Sequence, residues 1–219
     1  MRRGMIRAVS SAPPLGGAVC GTPWERARPL RIACYPWHAG GVRPSTRVRL
    51  LYDDAGLYVQ FRCPDSHSSA RVTRLNGPVY RDSCVEFFAN PHPRAGAEYF
   101  NLEINCCGVF HLGRGAGREG RRLIDPVLAR RLRIVSSLPG PTKEESPADS
   151  LWWVAAALPF NLLSEFLATP LRPAPGDLWR ANFYRCGGRT DPPYACWNGV
   201  RSPAPDFHRP ESFGELRFG

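Results

Sequence analysis

The sequence lacks any long apolar segment. Its longest apolar stretch, from Leu151 to Phe160, is interrupted by Pro159 and is well short of the roughly 18 residues that a membrane-spanning helix needs. The first residues also lack the apolar run of roughly 7–15 residues that marks a secretory signal. We therefore expect no membrane partner, and a cytoplasmic location is the simplest expectation.

Lysine is nearly absent, since Lys143 is the only one among 29 basic residues that give a net charge of +10. Such a charge is typical of nucleic-acid binding when the basic residues form a patch. Here the arginines are dispersed along the sequence, and the main local cluster, 118–133, lies in a Gly-rich segment that we predict to be a solvated loop. The sequence therefore predicts no nucleic-acid partner.

Cysteine spacing typical of metal ligands is also missing. No two of the eight cysteines are separated by two residues, and Cys106 and Cys107 are adjacent, so neither a zinc site nor a disulfide framework is indicated. The five histidines are scattered singly, and no acidic cluster has EF-hand spacing. The residues predict buried free thiols, no metal site and no cofactor.

Short alternating segments are abundant, and glycine and proline, at 21 and 23 residues, separate them. In 57–63, Leu57, Val59 and Phe61 share one face while Tyr58 and Gln60 share the other, which is the period of a half-buried strand. Similar patterns predict strands at 48–52, 84–89, 99–106, 109–112, 132–136, 151–158, 179–186 and 214–218. A single short helix is predicted at 160–167, after Pro159.

Strands at regular spacing without alternating helices indicate an all-β fold, an antiparallel β-sandwich of the jelly-roll type with one short helix. We predict a flexible N-terminal arm at 1–20 and one sandwich domain at 21–219. The strand 99–106 is the most informative, because Tyr99, Asn101, Glu103 and Asn105 share one face. Such a face suits a ligand rich in hydroxyl groups, or it is an ordinary solvated sheet surface.

Four ordered motifs favour the ligand-binding interpretation. They are an aromatic-x-Asp-x-x-Val-Glu stretch from Tyr80 to Glu86, a Tyr-x-x-x-Glu-x-Asn strand from Tyr99, a Trp-x-x-Asn-x-x-Arg strand from Trp179, and the closing segment 205–216. Together they resemble the family 9 carbohydrate-binding modules, and more narrowly the family 9-like group of the DOMON-like superfamily. The resemblance covers about 24–218.

The resemblance implies a β-sandwich that binds a small saccharide or glycan end without chemistry of its own. It implies two aromatic rings that clamp the sugar, Tyr80 and Trp197, and hydroxyl partners among the polar residues Glu86, Asn101, Glu103, Asn105 and Arg185. It is also compatible with a structural calcium ion and with an extracellular location. For Asp82, Glu86 and Arg185, a buried ion-pair network that fixes the two sheets is an equally good interpretation.

Other functions remain open at this point. Glu86 and Glu103 are candidates for the paired carboxylates of a glycoside hydrolase, and the chain is alternatively an accessory subunit or protein-interaction domain that keeps the fold without the clamp. Some members of the wider superfamily bind haem, for which His111 and His208 are candidate single ligands, although the only methionines are Met1 and Met5. The oligomeric state is not predicted.

Overall fold

The alternating segments form thirteen strands in the computed structural model, which describes residues 1–142, 144–187 and 194–219. The strands are β1 (Arg3–Ala8), β2 (Leu30–Ile32), β3 (Thr46–Tyr52), β4 (Gly56–Pro64), β5 (Cys84–Asn90), β6 (Tyr99–Asn105), β7 (Phe110–Gly115), β8 (Arg122–Leu123), β9 (Arg133–Ser136), β10 (Leu151–Pro159), β11 (Leu178–Cys186), β12 (Tyr194–Cys196) and β13 (Gly214–Phe218). Two α-helices are present, α1 (Pro126–Ala129) and α2 (Phe160–Leu167). No helix in these ranges is long and apolar enough to cross a membrane.

The strands form two sheets that share β1. The first sheet has the order β8-β7-β6-β5-β11-β13, with β12 beside β11, and the second has the order β3-β4-β10-β9, with β2 beside β3. Strand β1 connects them, because its first part pairs with β13 and its last two residues pair with β3. The remaining pairings are antiparallel.

The two sheets pack face to face around a single main core. Side chains of β5, such as Phe87, and of β4, such as Phe61, belong to the same buried cluster. The rings of Phe61 and Phe183 lie 6.2 Å apart between their centroids and connect the two layers. The structure therefore confirms the predicted β-sandwich, and helix α2 has the predicted bounds.

The predicted flexible arm at 1–20 is wrong. Residues 3–8 are a strand whose Ile6 is fully buried, and Leu15 and Val19 pack beside the buried Trp24. Gln60 Nε2 donates a hydrogen bond to the carbonyl of Gly16 over 2.7 Å. The sequence gives no periodic signal for β1, because only one of its six side chains is buried. The strand is held in place by its backbone pairings with the distant strands β13 and β3.

Other features of the fold also leave no local pattern in the sequence. The pairings of β1 are parallel, whereas a purely antiparallel sandwich was expected. Strands β2, β8 and β12 and the one-turn helix α1 have two to four residues each, too few for a periodic pattern. The predicted burial of the thiols holds for five of the eight cysteines, whereas Cys20 is exposed and Cys34 and Cys107 are partly buried.

Candidate functional site

A row of ionisable side chains crosses three neighbouring strands on the outer face of the first sheet. Glu86 on β5 lies opposite Glu103 on β6, and Glu103 lies opposite His111 on β7. Successive side chains of a strand point to opposite faces, so these three point away from the core that holds Phe87 and Leu102. Directly opposed residues have Cβ atoms about 4.5–5.5 Å apart, and the row is therefore a continuous polar floor.

A cavity of about 480 Å³ opens above this floor. This volume lies within the range of about 300–1,000 Å³ that is typical of small-molecule sites. The walls bring aromatic rings together with charged and amide groups, among them Asn76, Tyr80, Asn101, Arg118, Arg121, Tyr194, Asp206 and His208. Four of the seven predicted ligand residues line it, namely Tyr80, Glu86, Asn101 and Glu103.

Glu86 and Glu103 are buried carboxyl groups that influence each other. Burial raises the pKa of Glu86 well above its ordinary value, and the carboxylate of Glu103 raises it further. Burial also raises the pKa of Glu103, while His111 and the amide of Asn101 act against this increase. The Cys186 thiol donates a hydrogen bond to Glu86 Oε1 over 3.2 Å. Because adjacent carboxylates resist double ionisation, the pair can both donate and accept hydrogen bonds.

Arg121 holds Asn101 in position beside Glu103. Its Nε donates to Asn101 Oδ1 over 2.9 Å, and Asn101 Nδ2 donates to Glu103 Oε1 over 2.7 Å. The Arg121 guanidinium also donates to the backbone carbonyls of Tyr99, Gly113, Gly115 and Gly117. A Cβ at Gly113 would lie 2.8 Å from Asn101 Oδ1, so glycine is needed for this approach. The predicted solvated loop is therefore wrong for Arg121, which is part of the cavity wall.

A second polar contact lies beside Arg121 in the cavity wall. The Tyr99 hydroxyl and His208 Nδ1 are hydrogen-bonded over 2.8 Å, and Arg121 Cζ lies 4.5 Å from the centre of the Tyr99 ring. Burial, followed by the charges of Arg121 and Arg118, lowers the pKa of His208 to about 4. The imidazole is therefore neutral near pH 7 and adds a hydrogen-bonding group to the cavity without a charge.

Two tyrosines provide the partly exposed rings of the cavity. Tyr80, in a short 3-10 turn before β5, is 45% exposed, and Tyr194 on β12 is half-buried. Arg118 Nη2, from the connection between β7 and β8, lies 2.8 Å from Asp206 Oδ1 in the segment before β13. This ion pair joins two segments of the cavity wall.

Trp197, the predicted second clamping ring, lies in the core instead. Its ring is 2% exposed, and its centroid lies 5.7 Å from that of Phe183. The side chains of Tyr194 and Cys196 belong to the outer face, whereas Ala195 and Trp197 belong to the main core. The alternation along the chain thus places Trp197 on the face opposite to the cavity. In this segment the aromatic residue that reaches the cavity is Tyr194.

Arg185 and Asn105 are also placed away from the cavity. Arg185 lies on the inner face of β11, where its Nη2 is 2.8 Å from Asp65 Oδ2 between the two sheets. Asn105 Nδ2 donates to Asp82 Oδ2 over 2.9 Å and to the Val72 carbonyl over 3.0 Å. Arg185 is thus in a buried ion pair. Its partner is Asp65 and not Asp82 or Glu86, which the alternative interpretation had named, since Glu86 lines the cavity on the outer face.

Several cavity residues were not among the predicted ligand residues. His111 and His208 were considered only for haem, and Arg118 and Arg121 were assigned to a loop. The alternation in 109–112 was a usable signal for His111, whereas nothing local distinguishes Tyr194 from Trp197. In the part of the chain that the structure describes, no group of three or more His, Cys, Asp or Glu residues is arranged to hold a metal ion.

The fold and the cavity together define a β-sandwich ligand-binding module. The model of carbohydrate-binding family 9 matches residues 24–218, nearly the whole chain. The chain therefore belongs to carbohydrate-binding family 9, a family of carbohydrate-binding modules. No curated protein matches the sequence.

Three solved structures share the fold. A Bacteroides uniformis protein assigned a carbohydrate-binding role is 25% identical, with a TM-score of 0.86 over 100% of this chain and 99% of its own. A family 9 module of Caldicellulosiruptor kristjanssonii in complex with glucose is 15% identical, with a TM-score of 0.68 over 100% and 96%. The family 9 module from that organism in complex with cellotriose is 14% identical, with a TM-score of 0.66 over 99% and 93%.

Proposed function

We propose that the cavity above Glu86 and Glu103 binds a small saccharide, or the end of a glycan, without cleaving it. The observation that carries the proposal is the polar row Glu86–Glu103–His111 at the base of a cavity that also has tyrosine rings in its wall. A sugar ring presents C–H groups on its faces and hydroxyls around its edge. A cavity that offers both kinds of protein surface suits such a ligand.

Each side-chain group has a defined part in this proposal. Tyr80 and Tyr194 offer aromatic faces to the C–H groups of the sugar. The carboxyl groups of Glu86 and Glu103 form hydrogen bonds with its hydroxyls, and these bonds replace those made with water. Arg121 acts through Asn101, whose amide orientation it determines.

Binding without hydrolysis is favoured by the position of the two carboxyl groups. A glycoside hydrolase places its two carboxyl groups on either side of the bond that is cleaved. Glu86 and Glu103 instead lie side by side on neighbouring strands of one sheet face. Family membership and the glucose and cellotriose complexes of the related modules support the same conclusion.

Isothermal titration with glucose, xylose, cellobiose and xylobiose tests the proposal. We expect saturable binding of at least one sugar, and a loss of roughly two- to tenfold in affinity for Tyr194→Ala, since one stacked ring contributes about 0.5–1.5 kcal/mol. Tyr194→Phe is the matched control, because it keeps the ring and removes only the hydroxyl. No heat with any of the four sugars would contradict the proposed ligand class.

Two further measurements separate the alternatives. Aryl glycosides should show no turnover; turnover that disappears in Glu86→Gln and Glu103→Gln would establish a hydrolase. Freshly purified protein should show no Soret band, whereas such a band, lost in His111→Ala or His208→Ala, would indicate haem binding.

A further inference from the structure

We propose that the outer face of the second sheet binds an anionic polysaccharide through an arginine patch, which consists of Arg7, Arg31, Arg47, Arg49 and Arg62. This face is on the other side of the sandwich from the cavity. The inference therefore does not depend on the function proposed for the cavity.

The strand register assembles the patch from arginines that are far apart in sequence. Arg31 on β2 lies opposite Arg47 on β3, and Arg47 lies opposite Arg62 on β4. Because neighbouring strands are about 4.8 Å apart, these three residues form a row of about 10 Å. Arg49 lies two residues after Arg47 and on the same face of β3. Arg7 on β1 pairs with Leu51, which is the next outward-facing residue of β3. Arg7, Arg31 and Arg47 are exposed.

The charge of the patch is not balanced within the chain. In the described ranges none of its five arginines forms an ion pair with a carboxylate. Like charges directly opposite each other on neighbouring strands are destabilising. Arg49 Nε is buried without an acceptor, and burial together with Arg62 and Arg47 lowers the pKa of Arg49. A bound polyanion would remove this repulsion.

The surroundings of the patch favour a polysaccharide over a single-stranded nucleic acid. Nucleic-acid sites of that kind stack bases on accessible aromatic rings. Trp153 on β10 lies opposite Arg62 and extends the row by one strand. Its ring is covered by Gly17, since a Cβ on Gly17 would lie 2.4 Å from Trp153 Nε1. Tyr58 packs in a cluster with Trp24. The arginine side chains do not need an aromatic platform for binding, because each guanidinium group can donate two parallel hydrogen bonds to an oxyanion such as a carboxylate.

The test compares two triple variants that remove the same charge. The patch variant is Arg31→Gln/Arg47→Gln/Arg49→Gln, and the control is Arg94→Gln/Arg130→Gln/Arg172→Gln, three exposed arginines in loops outside β1–β4. Dissociation constants for heparin, which is sulfated, and for polygalacturonate, which is carboxylated, are measured over a series of NaCl concentrations. The two polymers identify which anionic group is recognised.

We expect the wild type and the control to bind at least one polymer, and the patch variant to bind it roughly tenfold more weakly. The slope of log affinity against log salt concentration should decrease in magnitude by about two for the patch variant. Each of the three lost contacts accounts for about 0.7 of this change. The inference is overturned by equal weakening in both variants, by the absence of binding to both polymers at low salt, or by tighter binding of an oligonucleotide of equal charge. If the triple variant does not fold, Arg47→Gln with Arg94→Gln as its control serves the same comparison.

Discussion

Trp197 is a core residue, and its replacement should affect stability rather than ligand affinity. The ring packs against Phe183, and a Cβ at Gly214 would lie 2.6 Å from Trp197 Cζ3. Removal of a buried tryptophan ring costs about 3–5 kcal/mol. We expect Trp197→Ala to lower the free energy of unfolding by that amount in urea titrations, with unchanged sugar affinity in the folded fraction. A loss of affinity in a fully folded Trp197→Phe protein would contradict this assignment.

The Glu86 carboxyl should make stability depend on pH. Its native pKa is raised from an ordinary value near 4.5, so the native state retains a proton that the unfolded state has released. The associated stability is complete below about pH 4.5 and is lost as the pH rises through the native pKa, at about 1.4 kcal/mol per pH unit between the unfolded and native pKa values. Glu86→Gln should weaken this decline in unfolding free energies measured from pH 4 to 9. Identical pH profiles for the two proteins would show that the carboxyl has its ordinary pKa in the native state.

At the scale of elements, β1 pairs with both sheets and contributes a single buried side chain to the core. Ile6 is fully buried, whereas the neighbouring Met5 is 39% exposed. Truncation of a buried isoleucine costs about 2–5 kcal/mol, and here it also weakens the pairing of β1 with β13 and β3. We expect Ile6→Ala to lower the melting temperature clearly and the matched Met5→Ala to have little effect. Equal effects would mean that β1 does not contribute to the core.

The Asp65–Arg185 pair connects the end of β4 with β11 across the sandwich. Both side chains are buried, and Asp65 Oδ2 also accepts a hydrogen bond from Trp152 Nε1 over 2.7 Å. Removal of one partner leaves an uncompensated buried charge, which costs about 3–5 kcal/mol. Arg185→Met should lower the free energy of unfolding by this amount, and Asp65→Leu/Arg185→Met should recover part of it. Loss of sugar affinity in the folded Arg185→Met protein would instead indicate a role in the cavity.

At the scale of the whole molecule, the sandwich has two outer faces with different surfaces. The cavity lies over β5, β6 and β7, and the arginine patch lies over β2, β3 and β4, with the common core between them. Effects at distant sites without shared partners are additive. We expect a variant combining Glu103→Gln with the patch substitutions to show the sum of the separate losses, each in its own ligand titration. Titration of one ligand in the presence of the other checks this, and a changed affinity would contradict independence.

The sequence alone determined the fold class and much of the cavity floor. The period-2 pattern in 99–105 identifies the polar face with Asn101 and Glu103, because the alternation of side chains is a local property of an extended chain. The motif around Glu86 added a second strand with the same polar face. The helix at 160–167 was equally visible, since proline precedes it and its apolar residues repeat with helical spacing.

The tertiary structure decided which of these faces meet. Opposition of Glu86, Glu103 and His111, or of Arg31, Arg47 and Arg62, depends on strand order and register, which backbone hydrogen bonds between distant segments determine. The assignment of Tyr194 rather than Trp197 to the cavity depends on the phase of the alternation after residues 188–193, which no pattern within the strand reveals. Alternation is local and register is not, and this is why the sequence predicts the polar faces but not the row of groups that they build together.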